Sequence, residues 1–188
     1  MDGKIINFHK IALDVGVDDK TVKKYYSILE DTLIGFFLEA FQHSVRKRLS
    51  SKPKFYFFDV GVARSVSRML TIQLLPKTTL YGDAFEHFII LECMKLASYY
   101  NNDYRFSYLM TKDDVEIDLV VERPGKPLLL IEIKSSDNVS KESIASFIKL
   151  TKDFEGCEAI CFSNDIFAKI IDNVKVLPWK EGIKEYIL

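Results

Sequence analysis

The stretch "VEIDLVVERPGKPLLLIEIKSS", residues 115–136, holds two apolar runs separated by a turn, with charges at set places. "RPGKP" reads as the turn, because Pro and Gly supply the backbone angles a reversal needs. Leu128 to Ile131 are four apolar residues in succession, the pattern of a strand buried on both faces. Glu132 and Lys134 follow, two apart, and side chains at i and i+2 leave a strand on the same side. In the first arm, alternation predicts Ile117, Leu119 and Val121 on one face and Glu116, Asp118 and Val120 on the other. If the two arms pair, Asp118 and Glu132 converge at one end of a sheet. Paired carboxylates there suit a hard cation, Mg²⁺ or Mn²⁺. Lys134, beside Glu132, could orient or activate a water and offset phosphate charge.

Working outward, Leu80 to Tyr100 is strongly helical, with Phe85, Phe88, Ile89, Glu92, Cys93 and Leu96 at three- and four-residue spacings. Glu86 lies beside that face, one turn past Gly82. "YRFSYLM" reads as a further strand. "SKESIASFIKLTKDF" reads as an amphipathic helix with Ser140 as its cap, followed by strands "CEAICFS" and "VKVLPW". A strand, helix and strand in succession predict a parallel crossover, hence an α/β unit with a mixed sheet flanked by helices.

The N-terminal part has another character. "NFHKIALDVGVDDKTVKKYYSILEDT" holds two short helical patterns around Gly16, the second capped by Asp18 or Asp19 and carrying Val22, Tyr25, Ile28 and Leu29. Lys20, Lys23 and Lys24 lie near its start, where a recognition helix meets DNA, and Arg46, Lys47 and Arg48 lie in a basic turn between two extended segments that would form a wing. Met1 to Lys54 carry ten Lys/Arg against seven Asp/Glu, a modest excess. A winged helix that only packs on its neighbour fits equally well. "DVGVARSVSRML" predicts a helix with Val62, Val66 and Met69 or Leu70 inward.

A formal charge of -1 carries no bulk signal for nucleic acid. No apolar run reaches the ~20 residues of a membrane span, so no membrane partner is expected. Three cysteines fit a reducing cytoplasm, and Cys157 and Cys161 read as small core residues. No phosphate-binding GxxxxGK[ST] loop is present.

"VDDKTVKKYYSILEDT", "VRKRLSSKPKFYFFDVGVAR", "GDAFEHFIILECMK", "KDDVEIDLVVE" and "LIEIKSS" together resemble the C-terminal region of prokaryotic AAA-type ATPases known as domain of unknown function 4143, within the PD-(D/E)xK nuclease-like superfamily. The resemblance implies a winged-helix-like segment, residues 1–75, before a restriction-endonuclease-like core, residues 76–188. It also implies that an AAA ATPase domain precedes this region in relatives, and that this chain is a C-terminal fragment or a short relative. Carried over by position, Glu86, Asp118, Glu132 and Lys134 are the expected catalytic set, with Asp118, Glu132 and the Ile133 carbonyl on the metal.

Three functions stay open. One is a Mg²⁺-dependent DNA phosphodiesterase. The second is a non-catalytic DNA- or protein-binding module coupled to an AAA ATPase. In the third, Lys134 bridges Asp118 or Glu86 and the charges only finish a sheet end.

Overall fold

The computed structural model describes residues 3–42 and 52–188; the segment with Arg46, Lys47 and Arg48 lies outside them. Strand β1 (Lys4–Ile5) precedes helices α1 (Phe8–Val15) and α2 (Asp19–Asp31). Asn7 caps α1 by accepting from the Lys10 N–H at 3.2 Å. Gly16 ends it at φ 71°, left-handed backbone that glycine adopts without steric penalty. Asp18 caps α2, accepting from the Thr21 N–H at 2.9 Å and its hydroxyl at 2.8 Å. The two helices around Gly16 are therefore present, but the inward stripe of α2 differs from expectation. Val22 is buried, whereas Tyr25 and Ile28 are exposed, and Tyr26 packs edge-on against Phe55 instead.

Strands β2 (Gly35–Leu38) and β3 (Lys54–Phe57) pair antiparallel, and β1 lies on the other side of β3, which is the middle strand of a three-stranded sheet. Helix α3 (Val60–Val66) follows, capped by Asp59. Here Ala63 is buried while Val66 and Leu70 are exposed. The helix stops at Val66 and Arg68 turns left-handed at φ 57°, so the period that would carry Leu70 inward is broken, while Val66 lies on the last helical turn facing solvent.

Helix α4 (Thr79–Tyr99) packs across a six-stranded sheet made of β4 (Arg105–Met110), β5 (Glu116–Glu122), β6 (Leu129–Lys134), β7 (Glu158–Ser163), β8 (Lys169–Ile171) and β9 (Val174–Pro178). The order is β4-β5-β6-β7-β9-β8. β5 is antiparallel to both β4 and β6, β7 is parallel to both β6 and β9, and β8 runs antiparallel to β9. A 3-10 turn (Glu142–Ile144) and α5 (Ala145–Thr151) make the expected crossover from β6 to β7, with Ser140 Oγ accepting from the Ser143 N–H at 3.3 Å. α4 and α6 (Trp179–Tyr186) cover one face and α5 the other. Leu129, Ile131 and Ile133 point into the α4-side core and Leu130 into the α5-side core, which explains the unbroken apolar run. Leu38, Ala40 and Tyr56 join the α4-side core, so the N-terminal sheet and the large sheet share one hydrophobic interior. Among the described residues no helix is long and apolar enough to cross a membrane.

α6 has no counterpart in the sequence patterns read above. Gly182 sits in its interior, where Gly normally costs about 1 kcal/mol relative to Ala. A Cβ at Gly182, however, would lie 2.3 Å from the buried Phe162 ring. We therefore expect Gly182→Ala to lower stability by about 1–3 kcal/mol, the usual range for overpacking. Thermal unfolding reads this as a drop of roughly 2–4 °C per kcal/mol. A rise in Tm would show that helix propensity, not ring contact, governs the position.

Candidate metal site

β5 is irregular at its charged end. Ser107 of β4 faces Val120, but Leu109 faces Ile117, so two steps on β4 answer three on β5. Such a bulge re-aims the side chains around it. Leu119 and Val121 pack into the α4-side core, yet Ile117 joins Val120 in the α5-side core. The uniform alternation expected of this strand thus fails once. Glu116 and Asp118, flanking Ile117, are turned toward α4, where Glu86 projects. One carboxylate oxygen from each of Glu86, Glu116 and Asp118 lies within 4.8 Å of the other two.

β6 keeps its alternation. Glu132 stands in register with Cys161, which belongs to the α5-side core. Its Oε1 takes the Lys134 ammonium at 2.6 Å, while Oε2 is buried with no partner among the described residues. Glu132 is 8 % exposed. Asp118 links the two sets, because its Oδ2 accepts from the Ile133 N–H at 2.7 Å, just beyond the ladder pair Leu119 and Ile131. The structure therefore gathers Glu86 and Asp118 directly. Glu132 and Lys134 form their own pair on the neighbouring strand, and Ile133 contributes its N–H to Asp118. The loop after Lys134 lines a cleft of about 270 Å³ with Pro76, Lys77, Tyr81 and Asn164.

Two further side chains come from the N-terminal sheet. Lys54 Nζ contacts Glu116, lies 3.2 Å from Glu86 Oε1 and donates to Tyr56 Oη at 3.4 Å. The Tyr56 hydroxyl donates to the same Glu86 oxygen at 3.0 Å. Lys54 is only 4 % exposed. Lys54 and Tyr56 alternate with Phe55 and Phe57, so a polar i, i+2 pair in a strand, the signal used above for Glu132 and Lys134, would have found them.

Burial acts on every group here. It pushes the Asp118 carboxyl well above the usual range; Glu132 and Glu86 add to this, and Lys54 and Lys134 offset it only in part. Burial also raises Glu132, against the pull of Lys134. Burial alone would lower Lys54, but Glu86, Glu116 and Asp118 outweigh it and hold the ammonium charged. Burial and then Glu86 keep the Tyr56 phenol protonated.

Residues 81–181, just over half of the chain, match a family described as a domain of unknown function, DUF4143. The chain belongs to this family. Residues 1–73 match a second domain of unknown function, DUF8612. Similar proteins include the uncharacterized protein Rv2008c of Mycobacterium tuberculosis and the uncharacterized protein Mb2031c of Mycobacterium bovis. Each is 25 % identical over 152 residues, covering 79 % of this chain and 33 % of the relative. The chain thus spans about a third of the length of these curated relatives. No solved structure matches. Glu86, Glu116, Asp118, Glu132 and Lys134 lie in the DUF4143 span, whereas Lys54 and Tyr56 lie in the DUF8612 span. Lys20, Lys23 and Lys24 are exposed on α2, outside the carboxylate cluster, with the Lys23 ammonium 5.7 Å from the Phe8 ring centroid.

A carboxyl with a raised folded pKa costs nothing below its unfolded pKa, near 4 for aspartate. The cost grows as pH rises toward the folded pKa, because the folded state then holds a proton that the unfolded state has lost. In metal-free buffer, Asp118→Asn is therefore expected to melt with the wild type near pH 4 and above it at neutral pH. The gap should be about 2–4 °C per kcal/mol relieved. An equal or lower Tm at neutral pH would show that Lys54 and Lys134 fully compensate the Asp118 charge.

Proposed function

We propose that the chain is a Mg²⁺- or Mn²⁺-dependent DNA phosphodiesterase, with a PD-(D/E)xK nuclease-like core behind a winged-helix-like segment. What carries this reading is the Glu86, Glu116 and Asp118 cluster set against a strand ending in Glu132-x-Lys134, with one buried Glu132 oxygen unpartnered among the described residues. The donors are all carboxylate oxygens, the set that hard divalent cations take. Four carboxyl groups also face only two ammonium groups, Lys54 and Lys134. Glu86, Glu116 and Asp118 would hold the ion, with Glu132 and the Ile133 carbonyl completing the set from β6. A bound divalent cation acidifies a coordinated water and polarises a phosphoryl oxygen.

The chain's own groups would do the rest. Lys134, kept charged by Glu132, would orient the phosphate and the attacking water. Glu86 would align the site from α4. Lys20, Lys23 and Lys24, with Arg46, Lys47 and Arg48, would supply the phosphate contacts that position a duplex. In longer relatives an AAA-type ATPase domain would work in cis, and the 33 % coverage of the curated relatives leaves room for one. We assign the cytoplasm as its compartment, in keeping with three free thiols.

One observation favours a second reading. Lys54 already supplies a cation to Glu86 and Glu116, which suits a non-catalytic DNA- or protein-binding module coupled to the ATPase. Titration with Mn²⁺ separates the two. Saturation at about 100 times Kd adds roughly 2.7 kcal/mol, a rise of several degrees in Tm, and Asp118→Asn should abolish it. With Mg²⁺ the protein should cleave plasmid or branched DNA, and Lys134→Ala should stop cleavage while keeping the Mn²⁺ shift. Binding without cleavage by the wild type selects the second reading. No DNA binding at low salt removes DNA from both.

A further inference from the structure

We propose that Lys54 is the resident cation of this site, seated among Glu86, Glu116 and Asp118 where a divalent ion would sit, so that metal enters only as Lys54 withdraws. This rests on the metal-binding reading above and adds a residue from outside the DUF4143 span. Oxygens within 4.8 Å of one another enclose space for a single small cation, and the Lys54 ammonium already touches two of the three residues that supply them. Two cations in so small and poorly screened a space would repel strongly.

The seat is built for an ammonium. Its three hydrogens have Glu86, Glu116 and the Tyr56 hydroxyl as partners, and the Tyr108 ring centroid lies 5.3 Å away. The fit is incomplete, however. With its donors engaged, Lys54 has none left for Asp118, and across β6 the buried Glu132 Oε2 also has no partner among the described residues. A lysine can therefore hold the site closed but cannot satisfy it, and a divalent ion with more coordination positions can displace it. Lys54 is also the residue of β3 in register with Ile5 on one side and Leu38 on the other. Metal occupancy is thereby coupled to the middle strand of the N-terminal sheet.

Two measurements on the full chain test this. Isothermal titration with Mn²⁺ should give a Kd about tenfold or more tighter for Lys54→Met than for wild type, because a competing buried charge has been removed. In wild type, amine acylation read by mass spectrometry should leave Lys54 protected without metal and label it when Mn²⁺ is saturating. The labelling needs no variant, so it decides the matter if Lys54→Met does not fold. Equal or weaker Mn²⁺ binding by the variant overturns the proposal, as does Lys54 staying protected with Mn²⁺ bound. The latter would place the ion between Asp118 and Glu132 with the lysine undisturbed. If neither protein binds Mn²⁺, the metal reading itself falls, and this inference with it.

Discussion

The register slip in β5 is the constraint on which the site depends. Were the strand regular, Asp118 would follow Val120 to the α5 side and stand beside Glu132. Glu86 would then keep Lys54 and Tyr56 as partners without the two β5 acids. The extra residue instead turns Glu116 and Asp118 toward α4 and leaves Glu132 and Lys134 on the far side of β6. Carboxyl groups thus meet from both faces where β5 and β6 part. The Ile133 N–H, which would otherwise lack a β5 partner, is taken up by Asp118.

A sheet end of this kind is hard to justify by stability. Removing carboxylates from water costs several kcal/mol each, and ion pairs in an interior recover this only with good geometry and every polar atom satisfied. Here one Glu132 oxygen is left over, and burial still raises both Asp118 and Glu132 despite two nearby lysines. Apolar residues of similar size would complete the α4-side core with less conflict. Local rules broken at a cluster of this kind are what the proposed metal-binding reading would account for.

Much of this was legible from residue order. Period-two alternation gave β4 and β5, the unbroken apolar run after the Pro/Gly turn gave β6, and the long three-and-four spacing gave α4. The strand, helix and strand succession gave the parallel β6 to β7 crossover. Glu86, Asp118, Glu132 and Lys134 were recognisable by type, spacing and element. The bulge was not, because "VEIDLVVE" alternates without a Gly, Pro or other break to mark an extra residue. Lys54 and Tyr56 carried a local signal, a polar i, i+2 pair in an aromatic strand, but their partners lie 30 residues or more downstream, so the pair alone did not say what it meets. Leu70 failed through backbone, since a left-handed Arg68 ends the period that sequence spacing assumes. α6 escaped because Gly182 lowers helix propensity where tertiary contact with Phe162 requires it.

The composite origin of the site bears on its use. The acids belong to a span that matches one family, and the lysine that neutralises two of them belongs to a span that matches another. A catalytic centre confined to the large sheet would need no lysine from β3, because Lys134 already serves Glu132. A purely structural ion pair would need no third and fourth carboxyl. The arrangement is economical only if the N-terminal sheet has a say in the charge state of the large one. On that view the enzymatic and non-catalytic readings describe one seat with two possible occupants, an ammonium fixed to β3 or a divalent ion from solution. On the same view the balance between them would be set by how firmly β1 and β2 hold β3 in place.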